Sequence, residues 1–210
     1  MKERTLDLEK KSNEIADALQ KNEDLILNIL PKSIADRMTG AQSSIAEHFS
    51  DASILFADLV GFTKIARAAS PEQLVDLLGV IFSDFDALTD QLNLEKIKTI
   101  GDSYMIAGGV PEPSERHCDR MATMAILMQK HINQIPRFNG TEIQLRVGIH
   151  SGPVIAGVIG TRKFAYDLWG DTVNIASRME SHGLPGRIQV SEVVYEKLRD
   201  NFRFEERGII

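Results

Sequence analysis

A hairpin held between two long amphipathic helices constrains this chain more than any other feature. Residues 96–106, KIKTIGDSYMI, alternate apolar and polar side chains on either side of Gly101 and Asp102, a pair suited to a tight turn between antiparallel strands. Before it, SPEQLVDLLGVIFSDFDALTDQL offers Ser70 as an N-cap, Pro71 at the first helical position and apolar residues at helical spacing. After it, PSERHCDRMATMAILMQKHINQI reads as a second long helix, with Met121, Met124, Leu127, Met128 and Ile135 as core contacts.

The other segments extend this plan. ASILFAD reads as a buried strand ending at Asp58, followed by the turn LVGFT and a short helix through Ala69. EIQLRVGIHSGPVIAGVIG predicts two strands joined around Ser151, Gly152 and Pro153. A helix (DTVNIASRMES), a strand (RIQV) and a helix (SEVVYEKLRD) follow, and FRFEERGII looks like the start of a further strand. The order implies an α+β fold, a ferredoxin-like antiparallel sheet with helices packed on one face.

A long helix precedes this domain, since no Gly or Pro occurs before Pro31. Leu8, Ile15, Asn22 and Ile29 recur every seventh residue, with Ala18 and Leu25 between them. That is a coiled-coil stripe with a polar residue at one core position, weakened by Lys11 on the same seam. Two readings stand: an amphipathic helix packed on its own domain, or a parallel dimerising helix about 40 Å long. KSIADRM forms a second short helix ended by Gly40, and residues 41–50 form a polar connector, so the expected division is a helical segment at 1–48 and a globular domain at 49–210.

A net charge of -6 argues against nucleic acid as a partner, because affinity for polyanions needs clustered Lys and Arg. It leaves room for an anionic small molecule neutralised locally by a cation. No apolar run is long enough to span a bilayer, since Asp58, Arg146 and His150 interrupt the candidates. The single cysteine, Cys118, sits beside His117 without a second Cys/His pair at ligand spacing, and a lone thiol fits a reducing, cytoplasmic setting.

Phosphate-loop, zinc-protease, nucleophile-elbow and dinucleotide signatures are absent. Carboxylates at strand ends remain. Asp102 alone is an ordinary turn residue and Asp58 alone a plausible helix cap. If the hairpin pairs beside the first strand, both converge at one sheet end, an oxygen-ligand site suited to Mg²⁺ or Mn²⁺. Gly61 and the amides of Phe62 and Thr63, which open the next helix, offer donors to phosphate oxygens, although the same residues also make a simple strand-to-helix connection.

FADLVGFT, EKIKTIGDSYM, GIHSGPVIAGVIG and YDLWGDTVNIASRMES together resemble the catalytic domain of class III nucleotidyl cyclases, which convert ATP or GTP to the cyclic monophosphate and pyrophosphate. ILNILPKSIADRM also resembles the helical transducer ahead of that domain in bacterial members. The resemblance implies two divalent cations held by Asp58, Asp102 and the backbone carbonyl of Leu59, acting on the ribose 3′-OH and the triphosphate. It implies that Lys98 donates to adenine N1 and Asp167 accepts from the exocyclic amine. Guanylate-forming relatives carry Glu at the lysine position and commonly Cys at the aspartate position. Asn174 would orient the ribose, and Arg178 would stabilise charge developing during transfer.

The family forms head-to-tail dimers with each site shared between subunits. A chain carrying both residue sets therefore implies a homodimer with two equivalent sites, and GVIGTRKFAYD becomes a dimer-contact arm. The expected activity is adenylate cyclase. Guanylate cyclase and a catalytically silent regulatory module are the alternatives. An upstream sensor or membrane domain is expected in a longer parent chain, with this part on the cytosolic side. Family members also continue past ERGII with a Gly-Lys-rich strand whose lysine binds the terminal phosphates, and its removal would weaken ATP binding.

Overall fold

The computed structural model describes residues 2–39, 45–160 and 163–208. Gly40, residues 41–44 of the connector, Thr161 and Arg162 of the arm, the last two residues and the side chain of Leu8 lie outside that description. The chain divides into two compact units, Met1–Ile45 with Val158–Tyr166, and Ala46–Gly157 with Asp167–Ile210.

The first unit carries α1 (Lys2–Leu27) and α2 (Lys32–Thr39). The long helix stops ahead of Pro31, as expected where proline disfavours helical geometry in its predecessor. Leu30, Ile34 and Ala35 are buried, whereas every side chain from Lys11 to Ile29 is exposed, including Ile15, Leu25 and Ile29 of the heptad stripe.

The remaining elements are β1 (Ala46–Val60), α3 (Phe62–Ala68), α4 (Pro71–Gln91), β2 (Glu95–Ile100), β3 (Ser103–Gly108), α5 (His117–Ile132), β4 (Gln144–Ile159), β5 (Ala165–Trp169), α6 (Asp171–Ser181), β6 (Ile188–Val190) and α7 (Glu192–Leu198). The sheet runs β2-β3-β1-β4-β5, with β6 parallel to β4. β1 pairs antiparallel with both β3 and β4, and β2 with β3. This is the expected α+β architecture with an antiparallel sheet.

Helix α4 begins with a capping box, Gln73 N–H donating to Ser70 Oγ at 3.2 Å while Ser70 N–H donates to Gln73 Oε1 at 3.0 Å. Its Ile81 and Phe85 join Met121, Met124 and Met128 of α5 over Leu55, Ala57, Leu59, Tyr104, Ile106, Val147 and Ile149 of the sheet. The three methionines are fully buried, so the methionine stripe is core.

Four expectations change. Strand β1 starts at Ala46, within the segment read as a polar connector, because its first residues pair with β4 from Ala46↔Gly157 onward. β4 is one continuous strand rather than two. The register slips between Phe49↔Val154 and Ala52↔Gly152, so Ser50 and Asp51 of β1 bulge, two residues opposite the single Pro153, which has no N–H to give the ladder. Residues 203–208 carry no regular structure, so the final strand is not formed among the described residues.

The fourth concerns α6, which takes the sheet face opposite the other long helices. Val147 and Ile149 point into the α4/α5 core, so Gly148 between them faces the other way, where a Cβ would lie 2.0 Å from the backbone nitrogen of Glu180. The bare glycine lets α6 dock backbone to backbone. Gly148→Ala is therefore expected to cost about 3 kcal/mol, lowering the thermal midpoint by roughly 6–12 °C. A midpoint within about 2 °C of the parent, less than ~1 kcal/mol would give, would contradict this docking.

Glu95, at the start of β2, is pushed up to about 7 by burial and then by the charge of Asp90. A carboxyl raised in the folded state favours the protonated form. Its stabilising contribution is full below the unfolded value of about 4.3 and is lost as pH rises through about 7. Glu95→Gln, which mimics the neutral form, is expected to raise the melting temperature at pH 8 and to change it little at pH 5. Equal shifts at both pH values would count against the buried carboxylate.

Candidate active site

The two carboxylates meet at one end of the sheet. Asp58 on β1 sits opposite Ser103 of β3 on one side and Arg146 of β4 on the other. Asp102 directly precedes Ser103, in a two-residue turn opened by Gly101 at φ 64°. A glycine with positive φ at the first turn position is what this short connection needs.

Asp102 comes within hydrogen-bonding reach of Asp58, whose carboxyl is pushed up to about 6 by burial, then by the charges of Asp102 and Glu180, with Arg146 opposing. Two anions in partial burial are in electrostatic conflict, and a divalent cation between them relieves it. The donor set therefore fits a hard, oxygen-binding ion. Leu59 is buried and its side chain belongs to the core, so its carbonyl is the only group it could offer a cation. Among the described residues no group of three or more His, Cys, Asp or Glu is assembled to hold a metal. Two carboxylates leave the rest of a coordination shell to backbone, water and ligand phosphates, the habit of Mg²⁺.

The neighbouring turn places Gly61 ahead of α3 at φ 73°, with no side chain capping the helix. Phe62 packs against the core and Thr63 is exposed.

Lys98 and Asp167, separated by 69 positions, form an ion pair of 2.5 Å between Nζ and Oδ2. β2 and β5 are the two ends of the strand path. A flat sheet would hold them about 19 Å apart, so the contact records the bend of the sheet. A bulge between Lys96 and Lys98 helps to aim the lysine. Lys96 pairs with Asp86 of α4 at 2.7 Å, and the extra residue turns Lys98 to the opposite face. Asp167 is fixed further by the Leu168 N–H, which donates to its Oδ1 at 2.8 Å.

Asn174 and Arg178 lie four residues apart on α6, both exposed. Thr172, Ala176 and Glu180 form the buried face of the same helix. At about 100° per residue, Asn174 and Arg178 point roughly 120° and 160° away from Glu180 around the helix axis. Glu180 meets the Asp58 cluster through Arg146: Nε donates to Glu180 Oε1 at 2.6 Å, and Nη2 donates to Asp58 Oδ2 at 3.3 Å. The structure thus brings Asp58 to Asp102 and Lys98 to Asp167, and turns Asn174 and Arg178 away from the carboxylate cluster of their own chain.

The sequence reading gives Arg146 only as a break in an apolar run and does not reach Glu180. The signals were present: an arginine inside the otherwise apolar LRVGI, and a glutamate on the stripe Thr172, Ala176, Glu180 that the helix buries.

Residues 45–210 match the family model described as the adenylate and guanylate cyclase catalytic domain. An adenylate cyclase of Mycobacterium tuberculosis is 48% identical over 191 residues, covering 90% of this chain and 43% of the relative. The guanylate cyclase soluble subunit beta-2 of Rattus norvegicus is 42% identical over 201 residues, 95% of this chain and 30% of that protein. This chain therefore spans less than half the length of these curated relatives. Among solved structures, the catalytic core of a rhodopsin-guanylyl cyclase with converted specificity, in complex with ATPalphaS, superposes with a TM-score of 0.75 at 33% identity, covering 79% of this chain and 90% of that one. The sheet, the paired carboxylates and these matches together make the chain a member of the adenylate and guanylate cyclase catalytic domain family.

Proposed function

We propose that the chain is an adenylate cyclase forming 3′,5′-cyclic AMP and pyrophosphate at two equivalent sites shared across a homodimer. The Lys98–Asp167 pair carries the choice of substrate. Adenine presents an acceptor at N1 and a donor at its amine, which complement an ammonium donor and a carboxylate acceptor. Guanine reverses both groups and would leave buried polar atoms unpaired.

Asp58, Asp102 and the Leu59 carbonyl would hold divalent cations, Mg²⁺ or Mn²⁺, which when bound supply Lewis acidity toward the attacking hydroxyl and the triphosphate. The amides of Gly61, Phe62 and Thr63 offer donors to phosphate oxygens. Asn174 orients the ribose, and Arg178 places a fixed positive charge where negative charge develops on the phosphoryl oxygens. These last two face away from their own chain's carboxylates, which supports a second copy supplying them. The exposed stripe of α1 suits a helix that biases this pairing from an upstream sensor.

The test is incubation of the purified chain with ATP or GTP and Mn²⁺ at high protein concentration. Cyclic AMP is expected, with turnover rising more steeply than linearly in protein concentration while dimers form. Cyclic GMP as the main product would instead support the guanylate reading, which the name of the rat relative keeps in view. Nucleotide binding without product would support a silent regulatory module.

A further inference from the structure

We infer that Thr172 is a positioning residue: seated on Gly152 of β4, it fixes the start of α6 and so aims Asn174 and Arg178. The inference rests on the roles proposed above for those two residues. Thr172 is 2% exposed, and its hydroxyl donates to the carbonyl of Pro153 at 2.6 Å. A Cβ on Gly152 would come 2.8 Å from the same hydroxyl oxygen, so the bare glycine makes the room that the threonine fills.

The first turn of α6 is held in an unusual way. Its N-cap is Gly170 at φ 131°, with no side-chain hydrogen bond, because that backbone conformation suits glycine better than the residues whose side chains cap helices. Thr172 compensates by reaching across to the strand instead of back to the amides of its own helix.

Gly152 has a counterpart in Gly148, four residues earlier on β4 and therefore on the same face. Gly148 receives the backbone of Glu180, eight residues after Thr172. Four strand residues span about 13 Å, and eight helical residues span about 12 Å. The two glycines are thus a pair of sockets at the spacing of the helix they hold, with the fully buried Ala176 between the seated residues. At the Glu180 end the contact is backbone against backbone, whereas at the Thr172 end a single hydrogen bond can release it. Asn174 and Arg178 project about 160° and 120° around the helix from Thr172, so a roll of that end swings both side chains.

Thr172→Val keeps the shape of the side chain and removes the donor. It is expected to lower kcat about tenfold to a hundredfold, the scale of a group misplaced by ~1 Å, with KM for ATP little changed. Thr172→Ser, which keeps the donor, should recover most of the loss. Mixing with a second inactive protein gives the readout that a general loss of structure would not. With Asp102→Asn, Thr172→Val should regain up to about a quarter of parental activity, because half of the dimers are mixed and each has one site with intact carboxylates and an intact α6. With Asn174→Ala it should regain none, since both changes damage the same half of the site.

Parental kcat in Thr172→Val would overturn the proposal. So would recovery with Asn174→Ala, or none with Asp102→Asn while Asp102→Asn and Asn174→Ala restore each other. If those two fail to restore each other, the shared-site reading has failed instead, and amide hydrogen exchange decides. Faster exchange in Thr172→Val confined to residues 173–177 is expected, and exchange that is unchanged or raised evenly along α6 would overturn the tether. Should Thr172→Val not fold, Gly152→Ala, which displaces the hydroxyl without removing it, takes its place in each measurement.

Discussion

Asp102→Asn is expected to lower cyclic nucleotide formation roughly a thousandfold, the effect of losing ~4 kcal/mol of transition-state stabilisation when a metal ligand is removed. The fold should be unaffected, because Asp102 occupies a turn whose backbone geometry depends on Gly101 at φ 64°. Asn174→Ala should be similarly impaired, though less severely. The informative experiment is to mix the two inactive proteins. Random pairing makes half of the dimers mixed, and each mixed dimer holds one site with all its residues and one site lacking both, so about a quarter of parental activity should return. Recovery requires that metal and ribose residues come from different chains, as proposed above, a reading that the outward direction of Asn174 and Arg178 on α6 supports. No recovery, in proteins shown to exchange subunits, would place all the residues of a site in one chain.

The second large effect concerns the base. Lys98→Glu combined with Asp167→Cys is expected to change the ratio of kcat/KM for ATP over GTP at least about a hundredfold in favour of GTP, since a site built around hydrogen bonds rejects a ligand that leaves them unmade. Lys98→Glu alone should mainly destroy ATP use, because two carboxylates would then face each other where a 2.5 Å ion pair stood. Mn²⁺ affinity should change little in either variant, since Lys98 and Asp167 pair with each other rather than with Asp58 or Asp102, the proposed metal carboxylates. A double variant that keeps the parental ATP preference would remove these residues from base selection.

Much of this was legible in the sequence because it is local. The capping box at Ser70, the glycine-first turn at Gly101 and the helical spacing of Met121, Met124 and Met128 each depend on a few neighbouring residues. The candidate site residues come from four motifs in order, which carry long-range information that periodicity lacks. What escaped depends on pairing across the sheet. SGP reads as a turn, and only the bulge of β1 opposite Pro153 lets one strand run through it. Gly148 looks like any strand glycine until α6 is seen against it, and Arg146 looks solvated until Glu180 and Asp58 are found on either side. The contact of Lys98 with Asp167 needs a bend that no local pattern encodes.

That contact has a kinetic meaning. If Lys98 and Asp167 read the base as proposed, a pair that grips itself is a tethered competitor, present at a fixed effective concentration whatever the nucleotide level. An incoming base must displace it, so a ligand that satisfies only one of the two groups leaves the other stranded and gains little. On the way out the balance would reverse: as a product loosened, Lys98 and Asp167 would close behind it, and the lost hydrogen bonds would be replaced before water had to supply them. The same 2.5 Å contact would thus sharpen selection at entry and hasten clearance at exit, two demands that a permanently open pocket meets only at each other's expense.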